Sequence, residues 1–92
     1  LLFPFEEALG FEIFELTLAP DYHHESKPHN VGVTEHILCI SGEMAVLFDG
    51  EWQTLRAGQA VRFNANQNHG YKNIGEGNAV FHNVIHYPYS KQ

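Results

Sequence analysis

Cysteine is nearly absent from this chain of 92 residues: Cys39 is the only one. A lone cysteine excludes an internal disulfide framework and fits a reducing compartment, so a cytoplasmic location is expected. Positive charge is also scarce. Five Lys and Arg stand against eleven Asp and Glu, a formal net charge of −6. An acidic surface repels phosphate, so this chain by itself is a poor partner for nucleic acid. No apolar run approaches the ~20 residues that a helix needs to cross a bilayer, which argues against a membrane partner. The chain opens on Leu1 and not on methionine, and residues 1–10 lack a basic n-region. It therefore reads as a fragment or processed product without a signal peptide. The Gly-x-Ser-x-Gly elbow, the phosphate loop and the dinucleotide fingerprint are missing as well.

What is present suits a globular domain: 43% hydrophobic and 17% charged residues argue against disorder. About a hundred residues make one core, so residues 1–92 are expected to form a single domain. The texture is of short strands and turns. Residues 11–18 alternate, with a slip between Ile13 and Phe14 that suggests a β-bulge. Residues 22–32 read as a polar, histidine-rich loop. Further strands are expected at 35–40, 43–48, 51–55, 60–63, 71–74 and 79–87. The Asp49-Gly50 pair marks a hairpin, because both central residues of a type I′ turn need positive φ. Only residues 4–9 offer a short helix. Many short strands with regular turns predict an all-β fold, a small antiparallel barrel. So small a core favours pairing with a second copy, and a homodimer is expected.

Alternation along the strands also assigns faces. Glu35, Ile37 and Cys39 share one side of their strand, which aims a carboxylate into a β interior. A buried carboxylate needs a partner, hydrogen bonds or a metal. On the last strand the larger face is Ala79, Phe81, Asn83, Ile85 and Tyr87. That turns Asn83 inward, and His82 and His86 outward. Met44, Val46, Phe48, Trp52, Phe63, Tyr71 and Phe81 are assigned to the same interior. Mostly apolar walls with a few convergent polar groups describe a small-molecule site. Ligand-binding residues are therefore expected at Met44, Phe48, Trp52, Phe63, Tyr71, Phe81 and Asn83. Asn73 is expected to tie down its own loop, Arg62 to face solvent, and Cys39 to be an inert buried thiol.

Two stretches carry a family resemblance. Residues 29–42 read H-N-V-G-V-T-E-H-I-L-C-I-S-G, and residues 58–73 read G-Q-A-V-R-F-N-A-N-Q-N-H-G-Y-K-N. They resemble the two halves of the cupin signature, HxH(x)3–4E(x)6G and G(x)5PxG(x)2H(x)3N. His29, Glu35 and Gly42 match the first half, and Gly58, His69 and Asn73 match the second. Val31 replaces the second histidine, and Asn64 and Asn66 replace the usual proline and glycine. The resemblance implies a double-stranded β-helix of jelly-roll type. It also implies a divalent-metal site, best suited to zinc, made by His29, Glu35 and His69. His23 or His24 is a conceivable substitute for the missing ligand.

Further stretches, L-R-A-G at 55–58, N-H-G-Y-K-N at 68–73 and V-I-H-Y-P at 84–88, resemble the C-terminal cupin domain of bacterial XRE-type regulators. That resemblance implies an N-terminal helix-turn-helix domain, absent here, through which alone DNA would be bound. The expected function is a small-molecule effector sensor and not an enzyme. The alternatives are a small metal-dependent cupin enzyme, a dioxygenase or isomerase, and a purely structural dimerisation domain.

Overall fold

A computed structural model describes residues 1–29 and 31–88. Residue 30 and residues 89–92, which the expected domain 1–92 includes, lie outside the described residues. Eight strands follow in order: β1 (Phe11–Leu18), β2 (His23–Ser26), β3 (Thr34–Ser41), β4 (Glu43–Phe48), β5 (Glu51–Arg56), β6 (Ala60–Asn64), β7 (His69–Asn73) and β8 (Ala79–His86). Among the described residues there is no helix. The anticipated short helix at 4–9 is a turn in which Leu9 and Gly10 N–H both donate to the Glu6 carbonyl.

The strands form two antiparallel four-stranded sheets, ordered β1-β8-β3-β6 and β2-β7-β4-β5. Their facing sides enclose the core of Leu18, Val33, Ile37, Cys39, Met44, Val46, Leu55, Phe63, Ala65, Ala79 and Phe81. This is the expected all-β jelly-roll architecture. Asp49 and Gly50 have φ of 54° and 78°, as a primed hairpin turn between β4 and β5 requires. Gly42 (φ 82°) joins β3 to β4, and a Cβ there would lie 2.5 Å from the Asn78 carbonyl oxygen. Neither the dihedral nor the space admits another residue without strain.

Two further sequence expectations change. The polar stretch after Pro20 contains β2, an edge strand paired to β7 from His23↔Lys72 to Ser26↔His69. The slip at Ile13 is not a bulge, since β1 pairs with β8 in unbroken register from Phe11↔His86 to Leu18↔Ala79. Phe11 and Ile13 face outward, in a local apolar patch on a side that also carries Glu15, His82 and His86. Phe3 bridges Ile13 along the free edge of β1, and Val84 stands opposite Ile13. The bulge that does exist is on β3, between Cys39 and Ser41 where they pair with β8.

Candidate metal centre

Glu35 enters the interior because β3 alternates with its apolar neighbours inward. The carboxylate is 3% exposed, between Val33 and Ile37 in the core. His69, the first residue of β7, brings an imidazole from the opposite sheet and is 4% exposed. His29 arrives from the β2–β3 loop. Its N–H donates to the Ala65 carbonyl at 2.7 Å, and Ala65 N–H donates to the Val33 carbonyl at 2.8 Å. These two bonds lace the β2–β3 and β6–β7 loops together beside the site. One donor atom from each of His29, Glu35 and His69 lies within 4.8 Å of the others. Glu35 Oε2 is 3.2 Å from His69 Nε2 and 3.6 Å from His29 Nε2. The structure thus brings together the three residues singled out from the sequence.

Hydrogen bonding fixes the state of His69. Its Nδ1 is 2.8 Å from the Gln67 carbonyl oxygen. A carbonyl only accepts, so Nδ1 carries the proton. In the neutral ring Nε2 then presents a lone pair toward Glu35 Oε2, and two acceptors meet at 3.2 Å. Such a contact is repulsive unless a cation lies between them, either a second proton or a metal ion. A tautomer locked by a backbone carbonyl is the usual preparation of a metal-ligating histidine. Two of the separations, 3.2 and 3.6 Å, lie near the ~3.3–3.6 Å between donor atoms around a tetrahedral ion with bonds of ~2.0–2.2 Å, and all three donors lie within 4.8 Å of one another.

The other face of the carboxylate is held by Asn83, whose Nδ2 donates to Glu35 Oε1 at 3.1 Å. Asn83 Oδ1 is buried and has no hydrogen-bond partner. Around the polar cluster, Phe63 stacks on Phe48 at 5.2 Å and tilts against His69 at 5.6 Å. Tyr71 meets Phe81 at 4.9 Å. Burial pushes the Tyr71 phenol up, with further contributions from Tyr22 and the Glu35 carboxylate. Met44 and Phe81 are fully buried. Cys39 is buried on the same strand as Glu35, and burial pushes its thiol up, which suits an inert residue.

Trp52 is the exception among the residues assigned to the interior. It pairs opposite Leu47, while Met44 pairs with Leu55 and Val46 with Gln53. Residues opposite one another share a face, so Trp52 lies on the outer side of its sheet. There it meets His23 edge-on at 5.3 Å, and the Lys72 ammonium sits 4.2 Å from its ring centroid. The anticipated substitutes also stay away. His23 binds Glu25 at 2.7 Å and His24 binds Ser26 Oγ at 2.9 Å. Val31, where the signature has its second histidine, is 81% exposed. One group escaped the sequence reading, and another was found without its partner. The Gln67 carbonyl carries no residue-type signal at all. The Asn83 amide had one, an inward polar residue, but its partner depends on the Ile37↔Asn83 register of β3 and β8.

A protein-family model for the cupin domain matches residues 14–85. The chain is 47% identical over 89 residues to the HTH-type transcriptional regulator SutR of Escherichia coli (strain K12), covering 97% of this chain and 50% of that protein. It thus spans about half the length of that curated relative. The solved cupin domain of an XRE family transcriptional regulator from Enterobacter cloacae superposes with a TM-score of 0.91 at 47% identity, covering 95% of this chain and 92% of that one. An HTH_3 family transcriptional regulator from Vibrio cholerae gives a TM-score of 0.91 at 44% identity, covering 95% and 48%.

Proposed function

The chain belongs to the cupin family, and on that premise we propose that it is the effector-sensing module of a helix-turn-helix transcriptional regulator. In this reading a divalent metal, zinc, is held by His29, Glu35 and His69, and a small molecule binds next to it. The observation that carries the reading is the meeting of His69 Nε2 with Glu35 Oε2 at 3.2 Å, two buried acceptors that call for a cation. When bound, zinc supplies a Lewis-acidic anchor for an electron-pair donor of the effector. The chain's own residues do the rest. Gln67 orients His69, Asn83 holds Glu35, and Met44, Phe48, Phe63, Tyr71 and Phe81 keep the surroundings apolar. A mostly apolar site with a few polar groups suits a small ligand.

The regulators of Escherichia coli, Enterobacter cloacae and Vibrio cholerae named above support sensing over catalysis, as does the absence of the signature's second histidine at position 31. In the same reading DNA is contacted by another domain, the protein is cytoplasmic, and the module forms a homodimer. The exposed Leu38 and Ile40 beside Val80 and Val84, on the outer side of the β1-β8-β3-β6 sheet, support a second copy as the cover for that face. Among the described residues no helix is long and apolar enough to cross a membrane. Effector binding shifts the regulator only through different affinities for its two arrangements.

Zinc titration of the metal-free chain, followed by thermal melting and metal analysis, tests the reading. Zinc at a hundredfold excess over its Kd should stabilise the fold by about 2.7 kcal/mol. The double variant Glu35→Ala, His69→Ala should show no such shift. A wild-type chain that takes up no zinc refutes the metal assignment.

A further inference from the structure

Two asparagines in this protein are almost equally buried, Asn83 at 6% and Asn73 at 7% exposure, and they are used differently. Asn73 is saturated. Its Nδ2 donates to the Leu18 and Gly77 carbonyls at 2.9 and 2.8 Å, and its Oδ1 accepts from Gly75 N–H at 2.8 Å. It ties the β7–β8 turn to the end of β1 and has nothing left to offer. Asn83 makes one bond, from Nδ2 to Glu35 Oε1 at 3.1 Å. That bond also settles which way the amide points, since an ionised carboxylate only accepts and Oδ1 would repel it. Oδ1 is left buried without a partner. An orphaned buried carbonyl is costly, and native proteins hold few of them.

We propose, resting on the sensing role above, that Asn83 is the residue that reads the effector: Oδ1 accepts a hydrogen bond from an N–H or O–H of the ligand. The ligand class follows from the two halves of the site. One end must be a carboxylate or other electron-pair donor that suits the His29–Glu35–His69 cation. The other must bear a hydrogen-bond donor, as a hydroxy acid or amino acid does. A ligand without the donor leaves Oδ1 orphaned, and sites with a buried polar group discriminate strongly against such analogues.

Glycolate and methoxyacetate test this directly, because they share a carboxylate and a two-carbon frame and differ in that only glycolate has an O–H. Each is titrated calorimetrically into the zinc-loaded chain. The wild type should prefer glycolate by about tenfold, the worth of one well-placed buried hydrogen bond. Asn83→Leu, similar in size but without an acceptor, should reduce the preference to less than about threefold. Asn83→Ala, which also lacks an acceptor, serves in its place if the leucine variant does not fold, and Ile37→Val, a lesion at the paired position on β3, should keep the preference. Equal affinity for the two acids in the wild type overturns the inference, as does a preference that survives in a folded Asn83 variant. Zinc uptake with no binding of either acid overturns it while leaving the metal site standing. Failure to take up zinc removes the sensing role and this inference together.

Discussion

Replacing the buried carboxylate by its amide should stabilise the metal-free protein and abolish its response to zinc. In Glu35→Gln the shape is kept. The side-chain carbonyl can still accept from Asn83 Nδ2, as Glu35 Oε1 does at 3.1 Å. The amide NH2 then replaces Oε2, which faces His69 Nε2 at 3.2 Å. A donor now meets the lone pair that the Gln67 carbonyl leaves on that ring, and a repulsive acceptor pair becomes a hydrogen bond. Such a bond is worth about 0.5–1.5 kcal/mol net. A domain of this size shifts by about 4–8 °C per kcal/mol, so the metal-free melting temperature should rise by roughly 2–12 °C. With zinc at a hundredfold excess over its Kd, the wild type should gain about 2.7 kcal/mol, or some 11–22 °C, whereas the neutral amide is a poor zinc ligand and the variant should gain almost nothing. The two melting curves therefore exchange order between chelator and zinc, a result that differential scanning calorimetry reads without knowledge of the effector. A lower melting temperature for the variant in chelator would refute the reasoning, because it would mean that the carboxylate is already satisfied by an imidazolium. An undiminished zinc shift would refute the assignment of Glu35 as a ligand.

Phe81→Ala should be among the most damaging single changes, costing about 3–5 kcal/mol, because the ring is fully buried and packs on Tyr71; urea unfolding measures it. Trp52→Ala should leave the zinc shift unchanged, since the indole lies on the outer side of its sheet with His23 and Lys72; a lost shift would place it back inside. Tyr87 donates to Glu12 at 2.6 Å, and burial, followed by this hydrogen bond, pushes its phenol up to about 12. Its contribution to stability is complete below the unfolded value of ~10 and is lost as pH rises from there to about 12. Tyr87→Phe should therefore flatten that part of the alkaline melting profile.

Strand alternation aimed Glu35, Asn83 and most of the apolar walls inward, whereas His29 and His69 came from the resemblance to the cupin signature. Glu35, Ile37 and Cys39 point inward as their period of two requires, and so do Phe81 and Asn83 on β8. The same rule failed for Trp52 because it needs a phase, and the phase of β5 comes from its pairing with β4. Leu55, three residues further on, is the side chain that β5 buries. An aromatic residue suggests an interior by its size, yet a lysine on β7 and a histidine on β2 can cover a tryptophan on the outer side of the same sheet. β2 was hidden for a related reason. His23, His24, Glu25 and Ser26 make an edge strand with little apolar surface, and what holds them is backbone pairing to β7. The Gln67 carbonyl could not be read at all, since every residue has one.

The placement of the three candidate ligands bears on how a sensor of this kind would transmit binding. Glu35 lies on β3 of one sheet, His69 on β7 of the other, and His29 on the loop that passes between them. A cation bound by all three is a cross-link between sheets that otherwise meet through apolar contact and the hydrogen bond from Asn73 Nδ2 to the Leu18 carbonyl. Its binding free energy resists any change in the spacing of the sheets. Asn83 extends the cross-link, because β8 lies between β1 and β3 and its outward residues Val80 and Val84, with His82 between them, lie on the outer face. Occupation of Asn83 Oδ1 would thus be felt on the same strand that carries the surface proposed for the second copy. Coupling of this kind requires two discrete arrangements and a ligand that prefers one of them. The expected signature is a dimer dissociation constant that falls when zinc and glycolate are both present and does not fall in Asn83→Leu. Sedimentation over a concentration series reads this, and an identical dissociation constant in all four combinations would separate the ligand site from the dimer.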